Sequence, residues 1–589
     1  MRLKRTHTCG ELRSDNIGRE TVIAGWVQNW RDHGGLVFID LRDRHGLTQC
    51  VFHPERDPAL HAESRRLRSE FVVALKGVVA ARPEGTVNPR LDTGEIEVEV
   101  TEMEVLNTAD TPPFEVADDV QAADEIRMKY RYVDLRRPRM QRNLRIRHRT
   151  AKVVRDYCDA HGFLEVETPF LTKSTPEGAR DFLVPSRLYP GSFYALPQSP
   201  QLFKQILMVG GCDRYAQIVR CFRDEDQRAN RQPDFTQIDI EMSFVDQDDV
   251  IEVTEGLMKT LFREVLDRDL DLPLRRMPFD EAMLRYGSDK PDLRFGLEIV
   301  ELSDLVGESA FKVFASAVQS GGCVRGIRAP GADERYSNTD LNKGFVDFAK
   351  EYGAKGLAWF KVADGALASS IAKFFDAAAQ QAIIERMGAA DGDVLLFVAD
   401  TPAVAARVLG ALRLRLGREL DLIDRDALEL VWVVDCPLFD WDEDRQAPTP
   451  LHHPFTAPRP EDLDRLETDP MSVKAYAYDL VLNGEEIAGG SIRIHQRDVQ
   501  ERVFRLLEIG PEEAQARFGF FLDALNYGAP PHGGIAFGFD RLVSIFCGEE
   551  ALREVIAFPK TQRAVCQLTG APAPVDDAQL RELGIRLID

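Results

Sequence analysis

Short runs of alternating apolar and polar positions, separated by glycine-containing turns, dominate residues 20–110. Five short strands with glycine turns are typical of a small β-barrel, most often an OB-fold. Trp26, Phe38 and Gln49 lie on or beside these strands. The spacing leaves two equal interpretations for them, a surface for unpaired bases or ordinary barrel core. The predicted strands are Thr21–Val27, Leu36–Leu41, Leu47–Phe52, Phe71–Val79 and Glu95–Val100.

A basic stretch follows an acidic connector over residues 110–125. Asp134 is its only acidic residue. A solvated helix face normally mixes both signs, so the pattern favours contact with a phosphate backbone. The basic residues are Arg127, Lys129, Arg131, Arg136, Arg137, Arg139, Arg142, Arg145, Arg147, Arg149, Lys152 and Arg155.

Helical and strand patterns alternate in the rest of the chain. Apolar residues from Ile146 to Cys158 recur with a helical period, and Phe163–Pro169 alternates as a strand whose proline suits an edge or interface. Residues 290–425 form a separable α/β block, which we interpret as an inserted domain. Its predicted elements are the strands Gly356–Val362 and Asp393–Val398 and the helix Ser369–Arg386.

Two strands with charged residues span Tyr215–Phe244. In the second strand, Gln237, Asp239 and Glu241 share one face, because side chains alternate with a period of two. Arg223 ends the first strand and can reach toward that acidic face. An amphipathic hairpin explains the alternation, but not the density of ionisable residues around the turn.

Two glycine-containing segments also carry candidate chemistry. In NGEEIAGGSIRIH, Glu486 and Arg493 bracket glycines that allow a ligand to approach the backbone, although a β-bulge would need the same residues. In GGIAFGFDRLVSIF, a strand leads into a helix at Asp540 and Arg541. An arginine at such a junction can hold a phosphate.

Composition narrows the class of protein. The chain has 589 residues, 44% hydrophobic and 29% charged, with a net charge of −23. This composition excludes wholesale disorder, and the net charge argues against a generic binder of polyanions. The nine cysteines form no CxxC pair, and HExxH, P-loop and GxGxxG motifs are absent. No apolar run reaches membrane-spanning length and the N-terminus lacks a signal-like segment, so we expect a cytoplasmic protein.

The order of several segments resembles a known family. GFLEVETP, FRDED followed by RQPDFTQIDIE, and FGFDR resemble motifs 1, 2 and 3 of the class II aminoacyl-tRNA synthetases. TPEGARDF, LPQSPQLFKQ, HHPFT, GGSIRIH and IAFPKT are similar to segments of the bacterial-type aspartyl-tRNA synthetases. The resemblance spans nearly the whole chain, and the class I markers are absent.

This resemblance implies a multidomain α+β fold. The expected parts are an OB-fold anticodon-binding domain over 1–108, a hinge over 109–136, an antiparallel-sheet catalytic domain over 137–290 and 426–589, and an inserted domain over 291–425. The last part includes a C-terminal extension. Because motif 1 forms a dimer interface throughout the class, a homodimer is expected, with the strand ending at Pro169 at the interface.

The family's chemistry joins aspartate to ATP and passes the aspartyl group to the 3′ end of tRNA. Positioning and electrostatics supply most of such catalysis. The resemblance implies catalytic roles for Arg223, Arg541 and Glu486, and a Mg²⁺ site at Asp479 and Glu486. The expected aspartate-binding residues are Glu177, Gln201, Lys204, Arg223, Asp239, His452, His453 and Arg493, with the choice between the two histidines open. The expected ATP-binding residues are Arg223, Asp224, Glu225, Gln232, Phe235, Glu486, Gly538, Phe539, Asp540 and Arg541.

Specificity for aspartate over the nearly isosteric asparagine is expected to come from Lys204 and Arg493, because an amide would leave both cations poorly paired. On the barrel, Arg31, Phe38, Gln49 and Glu97 match positions that contact the anticodon. His33 and Gly85 replace the leucine and lysine of strictly discriminating enzymes. This pair resembles the non-discriminating enzymes, which charge both tRNA(Asp) and tRNA(Asn), the latter for later conversion by an amidotransferase.

Other interpretations stay open at this stage. A strictly discriminating aspartyl enzyme is the nearest alternative, and the loop differences at 33 and 85 would then be neutral. Asparaginyl and lysyl enzymes are disfavoured by the inserted domain together with Lys204 and Arg493. A non-catalytic tRNA-binding paralogue is disfavoured because Arg223, Arg541 and both metal carboxylates are present, and a tRNA-independent asparagine synthetase is disfavoured by the barrel.

Overall fold

The computed structural model of the protein describes residues 1–175, 178–226 and 230–588. The chain divides into two compact units. Residues 1–149, 226–232 and 543–576 form the first unit, and residues 150–225, 233–542 and 577–589 form the second. Within the described residues no helix is long and apolar enough to cross a membrane. The nine cysteines are thiols outside any disulfide, and seven of them are buried.

A closed barrel with the strand order β1-β2-β3-β5-β4 lies in the first unit, so the predicted barrel is confirmed. Its interior is apolar: Ile23, Val37, Ile39, Leu75 and Val98 are fully buried. The antiparallel strands are joined by a parallel β3–β5 pairing that closes the sheet. The elements are β1 (Glu20–His33), β2 (Leu36–Asp43), β3 (Gly46–Phe52), helix α1 (Pro58–Ser64), β4 (Val72–Ala81) and β5 (Ile96–Asn107).

Most of the basic stretch has partners inside the same unit. Arg131 is 2% exposed and donates hydrogen bonds to Asp134 and to the carbonyl oxygens of Arg553, Ile556 and Ala557. The expectation of phosphate contact is therefore wrong for buried Arg131 and Arg137. The three helices here are α2 (Asp124–Lys129), α3 (Arg131–Asp134) and α4 (Pro138–Ala160). Further pairs join Arg127 to Glu554, Arg136 to Glu70 and Arg139 to Glu549.

Asp134 is fully buried and accepts hydrogen bonds from Arg127, Arg131 and Arg137. Burial alone would raise the pKa of Asp134, but the three guanidinium groups lower it below its ordinary value. A lowered folded-state pKa stabilises the protein above the pKa of the unfolded carboxyl group, and this contribution is lost as the pH falls through the folded-state pKa.

Asp134→Asn should lower the free energy of unfolding by about 3–5 kcal/mol, because it leaves buried guanidinium groups without their counter-charge. Urea unfolding at neutral pH measures the effect, and the difference from the wild type should shrink on acidification. Asp118→Asn is the matched control, since Asp118 is partly exposed and lies 3.9 Å from Arg137. Equal destabilisation by both variants would contradict the assignment.

The second unit begins inside α4 and continues into a hairpin-based sheet. The strand predicted over 163–169 is limited to two residues, because the chain after Glu165 leaves the sheet. Its edge position is as predicted, since β6 pairs only with β9. The elements are β6 (Leu164–Glu165), β7 (Leu183–Pro185), β8 (Phe193–Ala195), α5 (Gln201–Val209), β9 (Arg214–Phe222), β10 (Asp234–Ser243), α6 (Gln247–Leu266), β11 (Arg275–Pro278) and α7 (Phe279–Tyr286).

A separate five-stranded sheet occupies the segment interpreted as an insertion, with the order β12-β13-β16-β14-β15. The helix predicted over 369–386 starts only at Ala377, because the Asp376 side chain caps it by accepting from the Ala379 amide. The elements are β12 (Val300–Glu301), α8 (Ser303–Val306), α9 (Lys312–Gln319), β13 (Cys323–Ala329), α10 (Phe345–Glu351), β14 (Ala358–Ala363), β15 (Ala366–Ala368), α11 (Ala377–Met387), β16 (Val394–Asp400) and α12 (Pro402–Glu419).

The chain then returns to the large sheet, whose eight strands follow the order β11-β17-β20-β21-β22-β10-β9-β6. All its pairings are antiparallel except β11–β17 and β6–β9. The fold is therefore the predicted multidomain α+β arrangement. The remaining elements are β17 (Leu430–Val434), β18 (Phe439–Asp442), β19 (Ala447–Pro450), β20 (Ala477–Leu482), β21 (Glu485–Ile492), α13 (Arg497–Leu506), α14 (Pro511–Leu525), β22 (His532–Gly538), α15 (Phe539–Cys547) and α16 (Asp577–Glu582).

Candidate active site

The centre of the large sheet carries a row of polar side chains on β10. Asp239 is 1% exposed and Glu241 is fully buried. β10 lies between β9 and β22, so its backbone is paired on both sides. The face that alternation places opposite Ile238 and Ile240 is also buried at Asp239 and Glu241. Buried carboxylates require cationic or hydrogen-bonding partners.

Lys204 on α5 is the first of these partners. Its Nζ lies 2.7 Å from Asp239 Oδ1 and 3.2 Å from Glu241 Oε2, and the side chain is 1% exposed. The helix begins directly after Pro200, and both Leu202 and Lys204 are buried on it. A lysine so deeply buried needs anions around it to compensate for its lost hydration.

Arg493 follows β21 and is the second partner. Its Nε and Nη2 lie 3.0 and 3.1 Å from the two oxygens of Glu241, a bidentate pairing. Its Nη1 lies 2.6 Å from Ser491 Oγ and 2.8 Å from His453 Nε2. Burial and the Arg493 charge lower the pKa of His453 well below its ordinary value, so the ring is neutral beside the guanidinium.

The two carboxyl groups respond differently to these cations. Burial would raise the pKa of Glu241, but Arg493 and Lys204 together lower it to about 2. The pKa of Asp239 is raised, because burial outweighs its pairing with Lys204. Asp239 Oδ2 has no hydrogen-bond partner among the described residues. The site thus offers one buried acceptor oxygen beside a cation pair.

A chain of amide groups borders this pocket. Gln201 Nε2 donates to Gln205 Oε1 at 2.9 Å, and Gln205 Nε2 lies 3.1 Å from His532 Nε2. All three side chains are buried. Gln201 therefore lies near Lys204 on the same helix, as expected for two residues of one pocket. Glu177, which is also expected in this pocket, lies outside the described residues.

At the open end of the hairpin, Arg223 lies over the ring of Phe235, with the guanidinium carbon 5.1 Å from the ring centroid. The Asp224 amide donates to the Arg180 carbonyl at 3.0 Å, which fixes the chain just after Arg223. An aromatic ring and a guanidinium group stacked in this way can hold a base and a phosphate. Asp224 and Glu225 follow in the same segment.

The junction of β22 and α15 presents a second arginine. Arg541 donates to the carbonyl oxygen of Glu486, which directs its guanidinium toward β21. Asp540 Oδ2 accepts from the Thr236 amide at 2.8 Å and is 2% exposed. Phe539 is equally buried. Phe539 and Asp540 therefore fix the turn at Gly538, while Arg541 is partly exposed at it.

Gln232 belongs to the first unit. Its Nε2 donates to the Lys560 carbonyl at 3.0 Å, and its Oε1 accepts from the Lys560 amide at 2.8 Å. Both ends of this amide are therefore satisfied by backbone.

Two carboxylates meet beside Gly489 on β21. A methyl group built on Gly489 would lie 2.8 Å from Asp479 Oδ1 and 3.3 Å from Glu486 Oε1. A bulge between Leu480 and Val481 brings the two acids to the same place. Burial raises the pKa of Asp479 well above its ordinary value, and the Glu486 and Asp289 charges raise it further. Two hard oxygen donors that repel each other suit a divalent cation such as Mg²⁺.

The outer face of the barrel carries a connected polar group. Arg31 Nη2 lies 2.8 Å from Asp40 Oδ1 and 3.3 Å from Gln49 Oε1, and Gln49 donates to Glu97 at 2.8 Å. Phe38 is partly exposed beside Arg31 on the neighbouring strand. His33 is exposed at the end of β1, and Gly85 has a φ of +81° with open space around it. The four residues expected to contact the anticodon thus share one face.

Sequence reasoning identified the alternation at Glu241 but gave this residue no role, and it gave none to Gln205, Ser491 or His532. Glu241 could have been found from its position two residues after Asp239. Gln205 and Ser491 lie in the recognised segments and His532 directly precedes one, but their polarity alone carries no signal of contact with the pocket.

Family models match both the barrel region and the region that contains the large sheet. A model described as tRNA synthetases class II (D, K and N) matches residues 123–562, and one described as an OB-fold nucleic acid binding domain matches residues 21–106. The crystal structure of the asparaginyl-tRNA synthetase from Pyrococcus horikoshii with asparaginyl-adenylate has a TM-score of 0.59 and 18% identity, covering 95% of this chain and 98% of that one. An aspartyl-tRNA synthetase from Entamoeba histolytica has a TM-score of 0.58 and 17% identity, covering 95% and 91%. These likenesses show a class II synthetase fold.

Sequence relatives resolve the class further. An aspartate–tRNA(Asp/Asn) ligase from Syntrophotalea carbinolica is 56% identical, covering 99% of this chain and 98% of that protein. An aspartate–tRNA ligase from Geobacillus kaustophilus is 54% identical, covering 100% and 99%. The chain therefore belongs to the aspartate–tRNA ligase family of class II aminoacyl-tRNA synthetases. The resemblance found in the sequence is confirmed.

Proposed function

We propose that the protein activates L-aspartate with ATP and transfers the aspartyl group to tRNA(Asp) and tRNA(Asn). The observation that carries this proposal is the buried pair of cations, Lys204 and Arg493, within one polar pocket of the large sheet. Full-length relatives named aspartate–tRNA(Asp/Asn) ligase support the same activity.

In this proposal Lys204 and Arg493 receive the side-chain carboxylate of aspartate. Asp239 and Gln201, with Glu177, hold its ammonium group, and the free Oδ2 of Asp239 supports that role. His453 is the histidine that contacts the substrate, since it already bonds Arg493. His452 instead lies 4.0 Å from Asp479. Glu241 holds both cations in position and leaves them with donors to spare.

ATP is proposed to stack on Phe235 and to place its α-phosphate at Arg223, which also meets the α-carboxylate of aspartate. Arg541 and Gly538 meet the far phosphates in this proposal, and Phe539 and Asp540 support the turn. Asp224, Glu225 and Gln232 are proposed as further ATP-binding residues. Asp479 and Glu486 would hold Mg²⁺, which neutralises phosphate charge when it is bound. Arg223 and Arg541 thereby stabilise charge that develops as pyrophosphate leaves.

The test is ATP–pyrophosphate exchange with the purified full-length chain. Exchange should depend on L-aspartate and remain at background with L-asparagine, since an amide leaves two buried cations unmatched. Exchange supported equally by both amino acids, or by neither, would reject the proposed substrate.

The proposal that the protein charges both tRNAs rests on His33 and Gly85. Replacing these two residues should restrict charging toward tRNA(Asp). The anticodons of tRNA(Asp) and tRNA(Asn) differ in their last base, C against U. The double variant His33→Leu with Gly85→Lys should reduce tRNA(Asn) charging by roughly 10-fold, which lies within the about 1–3 kcal/mol that one base contact is worth. It should change tRNA(Asp) charging little. Gly85 has a positive φ, so a lysine at this position is strained and could disturb the loop. The single variant His33→Leu avoids this strain and must also show part of the loss of tRNA(Asn) charging.

Charging of both transcripts by wild-type enzyme is the reference for this experiment. Arg90→Leu is the control, an exposed residue of the same connection between β4 and β5. A wild-type enzyme that leaves tRNA(Asn) uncharged would make the protein a strictly discriminating enzyme. If the double variant charges the two tRNAs in the same ratio as the wild type, positions 33 and 85 do not determine the tRNA range.

We propose that the protein forms a homodimer through the exposed apolar side chains around β6, β7 and β8. Leu164, Leu188 and Tyr189 are 57%, 70% and 66% exposed, and Phe170 and Leu183 belong to the same segments. Apolar exposure on this scale marks an association surface. Sedimentation should give about twice the chain mass, and Leu188→Asp with Leu164→Asp should weaken the dimer by at least about 10-fold. Dimers unaffected by both changes would place the interface elsewhere.

We also propose the remaining assignments made from the sequence. The domain limits are 1–108, 109–136, 137–290, 291–425 and 426–589, with the second segment as hinge and the fourth as the insertion. The protein is proposed to act in the cytoplasm, and its aspartyl-tRNA(Asn) to be the substrate of an amidotransferase.

A further inference from the structure

Cys436, His452 and Asp479 form a cluster of metal-ligating side chains beside the proposed magnesium carboxylates. One ligand atom from each residue lies within 4.8 Å of the other two. The Nδ1 of His452 is 4.0 Å from Asp479 Oδ1. Cys436 is 1% exposed and Asp479 is 8% exposed, so the sulfur and the carboxylate face each other away from bulk solvent.

The backbone holds these three residues together from separate segments. Asp479 lies on β20 opposite Val433, and Cys436 comes three residues after Val433, where its carbonyl accepts from the Ala475 amide at 2.7 Å. His452 follows β19. Asp479 is thus held on a paired strand, and the other two ligands come from segments that closely follow strands.

Two atoms of the cluster lack the partners that buried polar atoms normally have. Asp479 Oδ1 and His452 Nε2 are buried and make no hydrogen bond to any of the residues that the structure describes. Leaving such atoms unsatisfied costs free energy, which a bound ligand can recover. Because Asp479 Oδ1 lies 4.0 Å from His452 Nδ1 and close to the Cys436 sulfur, a cation is a partner that all three ligand types can share.

We propose that Cys436, His452 and Asp479 bind a thiophilic divalent cation of the Zn²⁺ class, and that this cation excludes Mg²⁺ from Asp479. Sulfur and imidazole donors favour Zn²⁺ or Co²⁺ over Mg²⁺, which prefers oxygen. On binding, the S–H bond of Cys436 breaks, the sulfur–metal bond forms and the proton passes to solvent. Tetrahedral zinc needs its ligand atoms within roughly 4 Å of each other, a movement of about 1 Å from the observed spacing.

The other charged groups around the cluster suit this cation. Glu486 and Asp289 act on Asp479 as negative charges, and Lys290 is the opposing positive charge. Glu486 or water can take the fourth coordination position. Only the inhibition, and not the binding itself, rests on the proposed function, since it requires Asp479 to serve the magnesium-dependent reaction.

Cobalt binding tests the site directly. Chelator-treated full-length protein should take up about one Co²⁺ per chain and show the near-ultraviolet sulfur-to-cobalt absorption of a thiolate ligand. Cys436→Ser should remove that absorption and weaken Co²⁺ binding by at least about 100-fold, and His452→Gln should weaken it similarly. Cys566→Ser, which removes a partly exposed thiol, should leave the absorption unchanged. Absorption that is missing in the wild type, or that persists in folded Cys436→Ser, would overturn the proposal.

The inhibition is tested separately by aspartate-dependent exchange in excess Mg²⁺. Equimolar Zn²⁺ should inhibit the wild type, and a chelator should restore its rate. Cys436→Ser, compared with its own zinc-free rate, should lose that inhibition. Cobalt absorption without any exchange activity would reject the proposed function and keep the site. Exchange that Zn²⁺ inhibits equally in both proteins would reject the role of Cys436.

Discussion

Lys204→Met should reduce kcat/KM for aspartate in pyrophosphate exchange by roughly 10³-fold, about the 4 kcal/mol that follows the loss of one partner of a buried charge pair. The wild-type Nζ contacts Asp239 and Glu241 at 2.7 and 3.2 Å. Methionine has a similar length but leaves both carboxylates facing an apolar group. The substrate carboxylate then enters a site with one cation and two anions.

The discrimination between amino acids separates a specific role of Lys204 from general damage to the pocket. The exchange rate with aspartate should fall far more than the rate with asparagine, so the ratio of the aspartate rate to the asparagine rate should decrease. Lys259→Met is the matched control, an exposed lysine on α6 of the same unit. An unchanged ratio in a folded Lys204→Met protein would show that Lys204 only supports the structure.

Arg223→Gln should lower the rate of aspartate activation by about 10²–10³-fold, the usual cost of removing one group that stabilises transition-state charge. Arg223 is partly exposed and lies against Phe235, so its loss should leave the free energy of unfolding nearly unchanged. Steady-state exchange with saturating aspartate and ATP measures the effect on kcat.

Arg220→Gln is the control for this variant. Arg220 lies on β9, three residues before Arg223, and pairs with Asp234. It should keep near wild-type exchange, because its guanidinium group serves the hairpin. Equal losses in Arg220→Gln and Arg223→Gln would indicate that charge at the hairpin, and not its position, matters.

Local patterns were sufficient to predict the barrel and the central hairpin. The barrel strands follow from alternation and glycine turns, and β9 and β10 follow from alternation around the charged turn. The start of α11 was missed because the helical period was extended over Ser369–Asp376. The Asp376 cap determines the actual start at Ala377.

The contacts of the pocket could not be predicted from local pattern. Alternation placed Glu241 beside Asp239 on one face of β10, but it could not show that this face is covered. The two cations that cover it come from positions 35 and 252 residues away in sequence. Asp479 and Glu486 also depend on a bulge that shifts the register of β20 and β21. Their pairing was inferred from family resemblance alone.

The basic stretch shows the same limit. Charge density along a sequence does not reveal which cations are already neutralised by distant acids. Arg139 and Arg127 form ion pairs with Glu549 and Glu554, which lie more than 400 residues away in the sequence. A count of arginines therefore overstates what remains for an external polyanion.

The pairing of β11 with β17 gives the enzyme a modular construction. The two strands are parallel neighbours, with Arg275 opposite Val431 and Pro278 opposite Val434. The end of β11 and the start of β17 at Leu430 are therefore offset by four residues, about 13 Å along the strands at ~3.3 Å per residue. A crossover of about a dozen residues is enough to join two parallel strands. The large sheet, with the proposed catalytic groups, could therefore keep its continuity without the five-stranded sheet that lies between β11 and β17 in the sequence.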